Sequence, residues 1–246
     1  MIILKINYNK KIGKNNTGHI VLRHRKKGKK SLYIPIDSNY FNHINNNNLC
    51  IRLLGETSND MYRNTKLILC IITKDDGVKE FRYILKPNKK SYGDFIKFFD
   101  KTNKSFGDVN CLNSFDINDK VYNIEFKPLI NSKICTAAEC NSILLNKIKN
   151  YIKIKLPSNK IKQLNNKCYA VYGNSEKLIV NSINKAGTKM SFGNRPKVRG
   201  SAMNACDHPH GGGEGKAPIG KKSIYSFKGK KVKGIKTVKT KNDCYK

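Results

Sequence analysis

Apolar and polar positions alternate in short bursts through the middle of this chain. Tyr151-Ile-Lys-Ile-Lys-Leu156 is the cleanest burst, with every second residue apolar, as a strand with one buried face requires. Leu67-Ile-Leu-Cys-Ile-Ile72 and Phe81-Arg-Tyr-Ile-Leu85 are denser runs that bracket Asp75-Asp76-Gly77. An Asp-Gly step between two apolar runs predicts a hairpin, because glycine accepts the positive φ of a tight turn. Runs at 32–36, 49–54, 121–126, 160–164, 168–172 and 178–180 predict further strands. Pro35 has no N–H to donate and moves the first of these toward a sheet edge. Residues 95–99 add a further element, and Pro157-Ser-Asn159 makes a turn. Residues 137–149, with Ile143, Leu144, Leu145 and Ile148, are expected to form a helical turn or two.

The strands fall into two sets, separated by a poorly patterned stretch at 102–118 that reads as a link. The prediction is a mainly β protein of two small barrels, one over 31–115 and one over 116–194. No long amphipathic helix and no strand–helix–strand alternation is present, which excludes a doubly wound sheet or a TIM barrel. Residues 1–30 read as an arm with one short strand around 20–23. Residues 195–246 have almost no core-forming periodicity. Their apolar residues (Met203, Ile219, Ile224, Tyr225, Phe227, Ile235) are single and spaced among Gly and Lys. Such a composition predicts an extended tail. The dense punctuation between Gly200 and Gly220, however, reads as a shaped loop.

Charge changes this picture most at the ends. The 246 residues carry 49 Lys and Arg against 17 Asp and Glu, a formal charge of +32. Residues 1–30 hold 10 basic residues and no acid, residues 31–115 hold 12 against 9, residues 116–194 hold 13 against 5, and residues 195–246 hold 14 against 3. The middle is thus balanced like an ordinary folded domain, and the ends are basic arms. An imbalance of this size repels itself and calls for a polyanionic partner. The basic stretches lack the apolar face of an interfacial helix, which favours nucleic acid over a membrane surface. In the N-terminal arm, Asn15, Asn16, Arg23, His24, Arg25, Lys26, Lys27, Lys29 and Lys30 form a flexible, basic set suited to phosphates.

The eight cysteines are scattered without a Cys-x-x-Cys pair, so a zinc ribbon or finger is not expected, and reduced thiols in a non-secretory compartment fit best. No apolar run has transmembrane length, and Met1-Ile-Ile-Leu-Lys-Ile is too short for an export signal. Heavy use of Asn, Lys and Ile suggests an AT-rich coding genome.

The stretch from Arg195 to Gly220 carries the candidate chemistry. His210-Gly-Gly-Gly213 resembles the oxyanion-hole sequence of esterases, but no Gly-x-Ser-x-Gly elbow accompanies it. Residues 215–222 come one residue from a phosphate-binding P-loop, where Lys222 occupies the required Ser or Thr position. Cys206, His208 and His210, with Asp207 or Glu214, are transition-metal ligand types, but Pro209 restricts them and no second ligand cluster accompanies them. Asp207 and His208 have the types of an orienting acid and a base, yet adjacent side chains seldom face each other and no nucleophile is placed. An RNA-contacting loop uses the whole segment. Gly200, Gly211, Gly212, Gly213 and Gly215 would admit sugar and phosphate where a Cβ would collide. His208 and His210 would stack on bases or bond 2′-hydroxyls. Arg195, Lys197, Arg199, Lys216, Lys221 and Lys222 would supply charge, and Asn204 a donor and acceptor for a base edge.

These residues also resemble a known family. Val198-Arg-Gly-Ser-Ala-Met-Asn204, followed by Asp207-His-Pro-His-Gly-Gly-Gly-Glu-Gly-Lys-Ala-Pro-Ile-Gly220, closely resembles the signature of the ribosomal protein L2 family of the large subunit. Lys14-Asn-Asn-Thr-Gly-His-Ile20, Arg82-Tyr-Ile-Leu85, Tyr122-Asn-Ile-Glu125 and Asn184-Lys-Ala-Gly187 agree with it, in order, from about Lys14 to the tail. The resemblance implies an oligonucleotide-binding-type (OB) barrel followed by an SH3-like barrel, with a basic N-terminal arm and an extended C-terminal tail entering rRNA. It implies contacts with large-subunit rRNA, neighbouring ribosomal proteins and, across the intersubunit face, the small subunit. It further implies a role in subunit association and an approach to the peptidyl-transferase region. The arm and loop residues above, with Met203 and Asp207, become the expected rRNA contacts. His208, with Asp207 beside it, matches the family's functionally implicated histidine, while the reaction belongs to the RNA. No enzyme activity, protein-bound metal or cofactor is expected, and any structural magnesium would be held by the rRNA. The sequence departs from the family at Ala205, where the family has Pro, at Cys206, where it has an aliphatic residue, and in its short N-terminal segment. Composition and the lack of a leader predict an organelle-encoded version in the mitochondrial matrix. The rival readings are an off-ribosome RNA-binding protein and a His/Cys metal-dependent enzyme.

Overall fold

A computed structural model describes residues 6–7, 12–26, 28–29, 32–38, 51–57, 62–73, 79–97, 104–178 and 183–235. The chain divides into two compact units. The first comprises Ser31–Ser182 with the terminal segments Met1–Asn9 and Tyr245–Lys246, and the second comprises Lys10–Lys30 and Ile183–Cys244. The described part is mainly β and antiparallel, as expected.

In the first unit, β1 (Ile6–Asn7) pairs β2 (Leu32–Tyr33). A four-stranded sheet follows, from β3 (Ile51–Thr57), β4 (Leu67–Thr73), β5 (Lys79–Leu85) and β6 (Phe95–Ile96), in the order β5-β4-β3-β6. The predicted hairpin is the β4–β5 pair, in register from Leu67 opposite Leu85 to Thr73 opposite Lys79. Its Asp-Gly turn lies outside the described residues. Ile51, Leu53, Leu67, Ile68, Ile72, Ile84 and Ile96 are buried in its core.

A six-stranded sheet is built from β7 (Val109–Cys111), β8 (Lys120–Tyr122), β11 (Ser142–Ile148), β12 (Tyr151–Lys155), β13 (Ile161–Asn165) and β14 (Tyr169–Tyr172), in the order β13-β12-β11-β8-β14-β7. The short strands β9 (Ile124–Glu125) and β10 (Ser132–Ile134) pair beside it. These sheets are consistent with an OB and an SH3-like barrel in series, although among the described residues no pairing closes either sheet into a ring.

Three elements differ from expectation for identifiable reasons. Residues 142–148 are a strand rather than helical turns, because β12 offers them a ladder across the tight turn at Lys149-Asn150. A bulge between Leu144 and Asn146 breaks the alternation that would have marked the strand. The stretch expected as a link contains β7, which pairs β14. Finally, 121–126 is two strands. Asn123 sits at φ +49°, a left-handed conformation that asparagine tolerates, and turns the chain between β8 and β9. All of Val121, Tyr122, Ile124 and Glu125 are buried as a result.

Register also decides which face of β13 is inside. Leu164 lies opposite the buried Ile152, so period two turns Lys162 inward opposite Ile154 and leaves Ile161 60% exposed. The Lys162 ammonium rests 3.9 Å from the centroid of the Phe126 ring, and burial lowers its pKa. Residues 174–178 stitch the two sheets together. Glu176 N donates to Lys86 O, Lys66 N donates to Glu176 O, and the Glu176 carboxylate holds the ammoniums of Lys66 and Lys86.

Candidate nucleic-acid interface

The second unit is organised by backbone turns rather than by sheets. Asn15 closes a loop in the arm: its Oδ1 accepts from the His19 N–H at 2.9 Å and the Thr17 hydroxyl at 2.8 Å, with Gly18 at φ +81°. This leaves Asn16 exposed at the tip. The strand expected at 20–23 does not form. The N–H groups of Val21 and Leu22 both donate to Gly13 O, at 2.7 and 3.0 Å, and only Ile20 makes a bridge, to Lys14.

The basic run of the arm pairs with the region before the loop. Arg195 N donates to His24 O, Lys26 N to Gly193 O and Lys29 N to Ser191 O. The Arg25 guanidinium donates to Asn194 Oδ1 at 2.6 Å. Lys29 follows Gly28, where φ is +65° and a Cβ would lie 2.6 Å from Ser191 O. A six-residue helix, α1 (Ala186–Ser191), precedes this pairing. Two stretches 169 residues apart in the chain thus become neighbours. Lys27 and Lys30 lie outside the described residues.

From Gly200 to Gly213 the chain folds on itself. Asp207 N and His208 N donate to Asn204 O, Gly211 N to His208 O, and Gly212 N to Met203 O. Glycine is needed here for internal reasons. A Cβ on Gly211 would lie 2.2 Å from Asn204 O, and one on Gly200 would lie 2.4 Å from the His208 ring. Gly213, at φ +95°, would meet Ala217 at 2.7 Å. Only Gly215 in this set has open space around it. Composition alone suggests that these glycines admit RNA; most of them have a nearer neighbour within the loop.

The two histidines divide their tasks. His210 is buried, and its Nε2 accepts the Tyr225 N–H at 3.0 Å, which ties the loop to a hairpin-like segment where Tyr225 bridges Lys231. His208 is half-buried, and its Nδ1 accepts the His210 N–H at 3.0 Å. That bond assigns the proton of neutral His208 to Nε2. Burial first, and then the neighbouring His210 and Arg23, hold the His208 imidazole below its ordinary value of 6.5. The rings pack with centroids 4.8 Å apart. Asp207 is exposed and does not orient either ring by any described bond.

The cations point to solvent. Arg23, Arg25, Lys26, Arg195, Lys197, Arg199, Lys216, Lys221 and Lys222 are exposed. Among the described residues no salt bridge engages Arg195, Lys197, Arg199, Lys216 or Lys222. Cys206 is exposed, and no group of three His, Cys, Asp or Glu among the described residues could hold a metal ion. Sequence reasoning missed the roles of Val21, Leu22 and Phe227, which come together with Arg23 and His208 around a cavity. Val21 and Leu22 belong to the short apolar run read as a strand at 20–23, and Phe227 is a single apolar residue among lysines, so neither pattern marked a shared cavity.

Comparison with known proteins finds matches along most of the chain. Residues 3–97 match the family described as Ribosomal Proteins L2, RNA binding N-terminal domain, and residues 105–229 match Ribosomal Proteins L2, C-terminal domain. The chain is 35% identical over 248 residues to the large ribosomal subunit protein uL2c of Eimeria tenella, covering 95% of this chain and 89% of that protein.

Proposed function

The chain belongs to the ribosomal protein L2 family in its organelle version, a structural constituent of the large ribosomal subunit, and on that premise we propose that its second unit is the part that enters rRNA. The observation that carries the proposal is the set of exposed, unbridged cations around a loop whose conformation is held internally. A preformed cationic surface loses little conformational entropy when it meets phosphates. Arg195, Lys197, Arg199, Lys216, Lys221 and Lys222 then hold backbone phosphates, with the arm cations Arg23, Arg25, Lys26 and Lys29 beside them. Asn16, Asn204 and His208 present hydrogen-bonding groups to bases or 2′-hydroxyls. His210, Gly200, Gly211 and Gly213 hold the loop itself, while Gly215, with open space around it, is left to face RNA.

The loop approaches the peptidyl-transferase region in this reading, where it shapes RNA and performs no chemistry itself. Subunit association, with contacts to the small subunit across the intersubunit face, is part of the same proposal. The mitochondrial matrix is the compartment expected from composition. The chloroplast-type name of the Eimeria relative favours a plastid as the second reading. Among the described residues no helix is long and apolar enough to cross a membrane.

Sucrose-gradient sedimentation of the tagged protein from purified organelles tests the proposal. The protein should travel with the large subunit, and a variant with Arg195, Lys197 and Arg199 changed to alanine should shift toward the top. Wild-type protein that stays at the top would overturn the assignment, and the organelle fraction that yields it decides the compartment.

A further inference from the structure

The second unit contains a cavity of about 480 Å³ that phosphate binding does not explain. Its wall combines two chemistries. Val21, Leu22, Val198, Met203 and Phe227 supply apolar surface, while Arg23, Arg195 and Lys197 supply positive charge. Val198 is 65% exposed, Leu22 45% and Val21 42%. Phosphates need cations and backbone N–H groups, and they gain nothing from aliphatic side chains held open to water. Exposed apolar surface gathered into a concave site marks a ligand that is itself partly apolar. In a polyanionic partner, the apolar part is the face of a base.

Two further observations fit a base. The Arg23 guanidinium carbon lies over the Phe227 ring, 4.6 Å from its centroid. A guanidinium packed on an aromatic ring offers, with that ring, a surface on which an unstacked base can lie. His208 also lines the cavity, and its Nδ1 is already occupied by the His210 N–H. Its Nε2–H therefore remains as a donor for a base edge or a 2′-hydroxyl. The volume falls within the roughly 300–1,000 Å³ of small-ligand sites, which suits one nucleotide and not a duplex.

We propose that this cavity receives a single unstacked nucleotide of the bound RNA, its base against Val198, Met203 and the Arg23–Phe227 pair and its phosphate on Arg195 and Lys197. The inference rests on the reading of the second unit as the rRNA interface and adds a specific ligand class to it. The arm contributes to recognition through its apolar residues Val21 and Leu22, in addition to its charge.

The test uses the full chain and three hairpin RNAs: one fully paired, one with a single-nucleotide bulge, and one with the same bulge lacking its base. The intact bulge should bind about tenfold more tightly than the abasic one, the scale of one stacked base. Val198→Lys keeps every cation, adds another, and sits at an exposed position that tolerates it. It should abolish the tenfold preference while leaving affinity for the paired hairpin equal or higher. If all three RNAs bind equally and Val198→Lys tightens each of them, the cavity is a phosphate groove and the proposal is overturned. That result with wild-type sedimentation in the large subunit removes the nucleotide pocket alone; loss of that sedimentation removes the parent reading.

Discussion

The two units solve the problem of excess positive charge in opposite ways. The first holds 25 Lys and Arg against 14 Asp and Glu, and it answers several of its cations internally. Glu176 binds Lys66 and Lys86, Asp108 lies 3.5 Å from Lys90, and Asp116 and Asp119 hold Lys104. The second unit holds 24 against 3 and leaves its loop cations in water. The first unit has two apolar cores, whereas the second is held mainly by turns, glycines and one buried histidine. The difference separates stability from function. The first unit carries counter-charges of its own, and the proposed function gives the second unit its counter-charge in rRNA.

The largest effect should come from salt. If about ten phosphates are neutralised, RNA affinity falls by roughly 10³–10⁵ between 50 and 200 mM salt. Replacing Lys197 or Lys216 with alanine should lower the log–log salt slope by about one. Replacing Lys90 or Lys104, already paired with carboxylates, should leave it almost unchanged. Filter binding over a salt series checks both, and equal slope changes would erase the contrast between the units.

Gly211→Ala comes next. Its Cβ would meet the carbonyl oxygens of both Asn204 and Met203, which are backbone atoms that cannot rotate away. The loop should lose about 3 kcal/mol or more of local stability. Hydrogen exchange at Asp207, His208 and Gly212 N–H should accelerate while exchange in β4 and β5 stays as in wild type. Slowed or unchanged exchange in the loop would contradict the internal role assigned to this glycine.

Glu176→Gln sharpens the other side. Lys86 is 5% exposed and would lose its carboxylate, as would Lys66. The cost should be about 2 kcal/mol, less than for a fully buried pair because Glu176 and Lys66 keep part of their surface in water. Thermal melting of the variant should show it, with RNA affinity little changed.

The smallest effect separates the units by pH. Burial would raise the Glu176 carboxyl, but the Lys66 and Lys86 ammoniums outweigh it and hold its pKa below the ordinary value of 4.5. The stability it contributes is present above that value and is lost as pH falls through the folded pKa. His208 is likewise depressed, from 6.5, so its contribution is present above 6.5 and lost as pH falls through its lower folded pKa. The loop should therefore begin to loosen as pH falls below 6.5, and the Glu176 contribution to the first unit should begin to fall only below 4.5. Histidine NMR titration alongside far-ultraviolet circular dichroism would follow the two. Loosening of both in one acid transition would count against separate causes.

The sequence was most readable where one physical rule acted alone. Ile152 and Ile154 alternate with polar residues, and β12 forms as its pattern predicts. The pattern misled where tertiary pairing intervened. Ile143, Leu144 and Leu145 are consecutive apolar residues, and the bulge with the ladders to β12 and β8 decides that they are strand. Lys162 looks like a solvent residue until Leu164 fixes the register and turns it inward. Glu125 gave no sequence signal beyond the family motif. Buried and with its pKa raised by burial, it accepts the Tyr169 N–H at 3.0 Å and ties β9 to β14. At the interface, the basic loop was recognisable from His-Pro-His-Gly-Gly-Gly, but the reason for its glycines was not. Whether a missing Cβ makes room for RNA or for Asn204 depends on a fold that composition does not reveal. The contribution of Val21, Leu22 and Phe227 was hidden for the same reason, since they meet only when the arm and the tail come together.

The central claim is that the second unit is the rRNA interface. Ultraviolet cross-linking of assembled large subunits, followed by mass spectrometry of the cross-linked peptides, tests it residue by residue. The account predicts RNA adducts between Arg195 and Lys222 and on the arm around Arg23 to Lys29. Large subunits that contain the protein but give adducts only within residues 31–182 would contradict it.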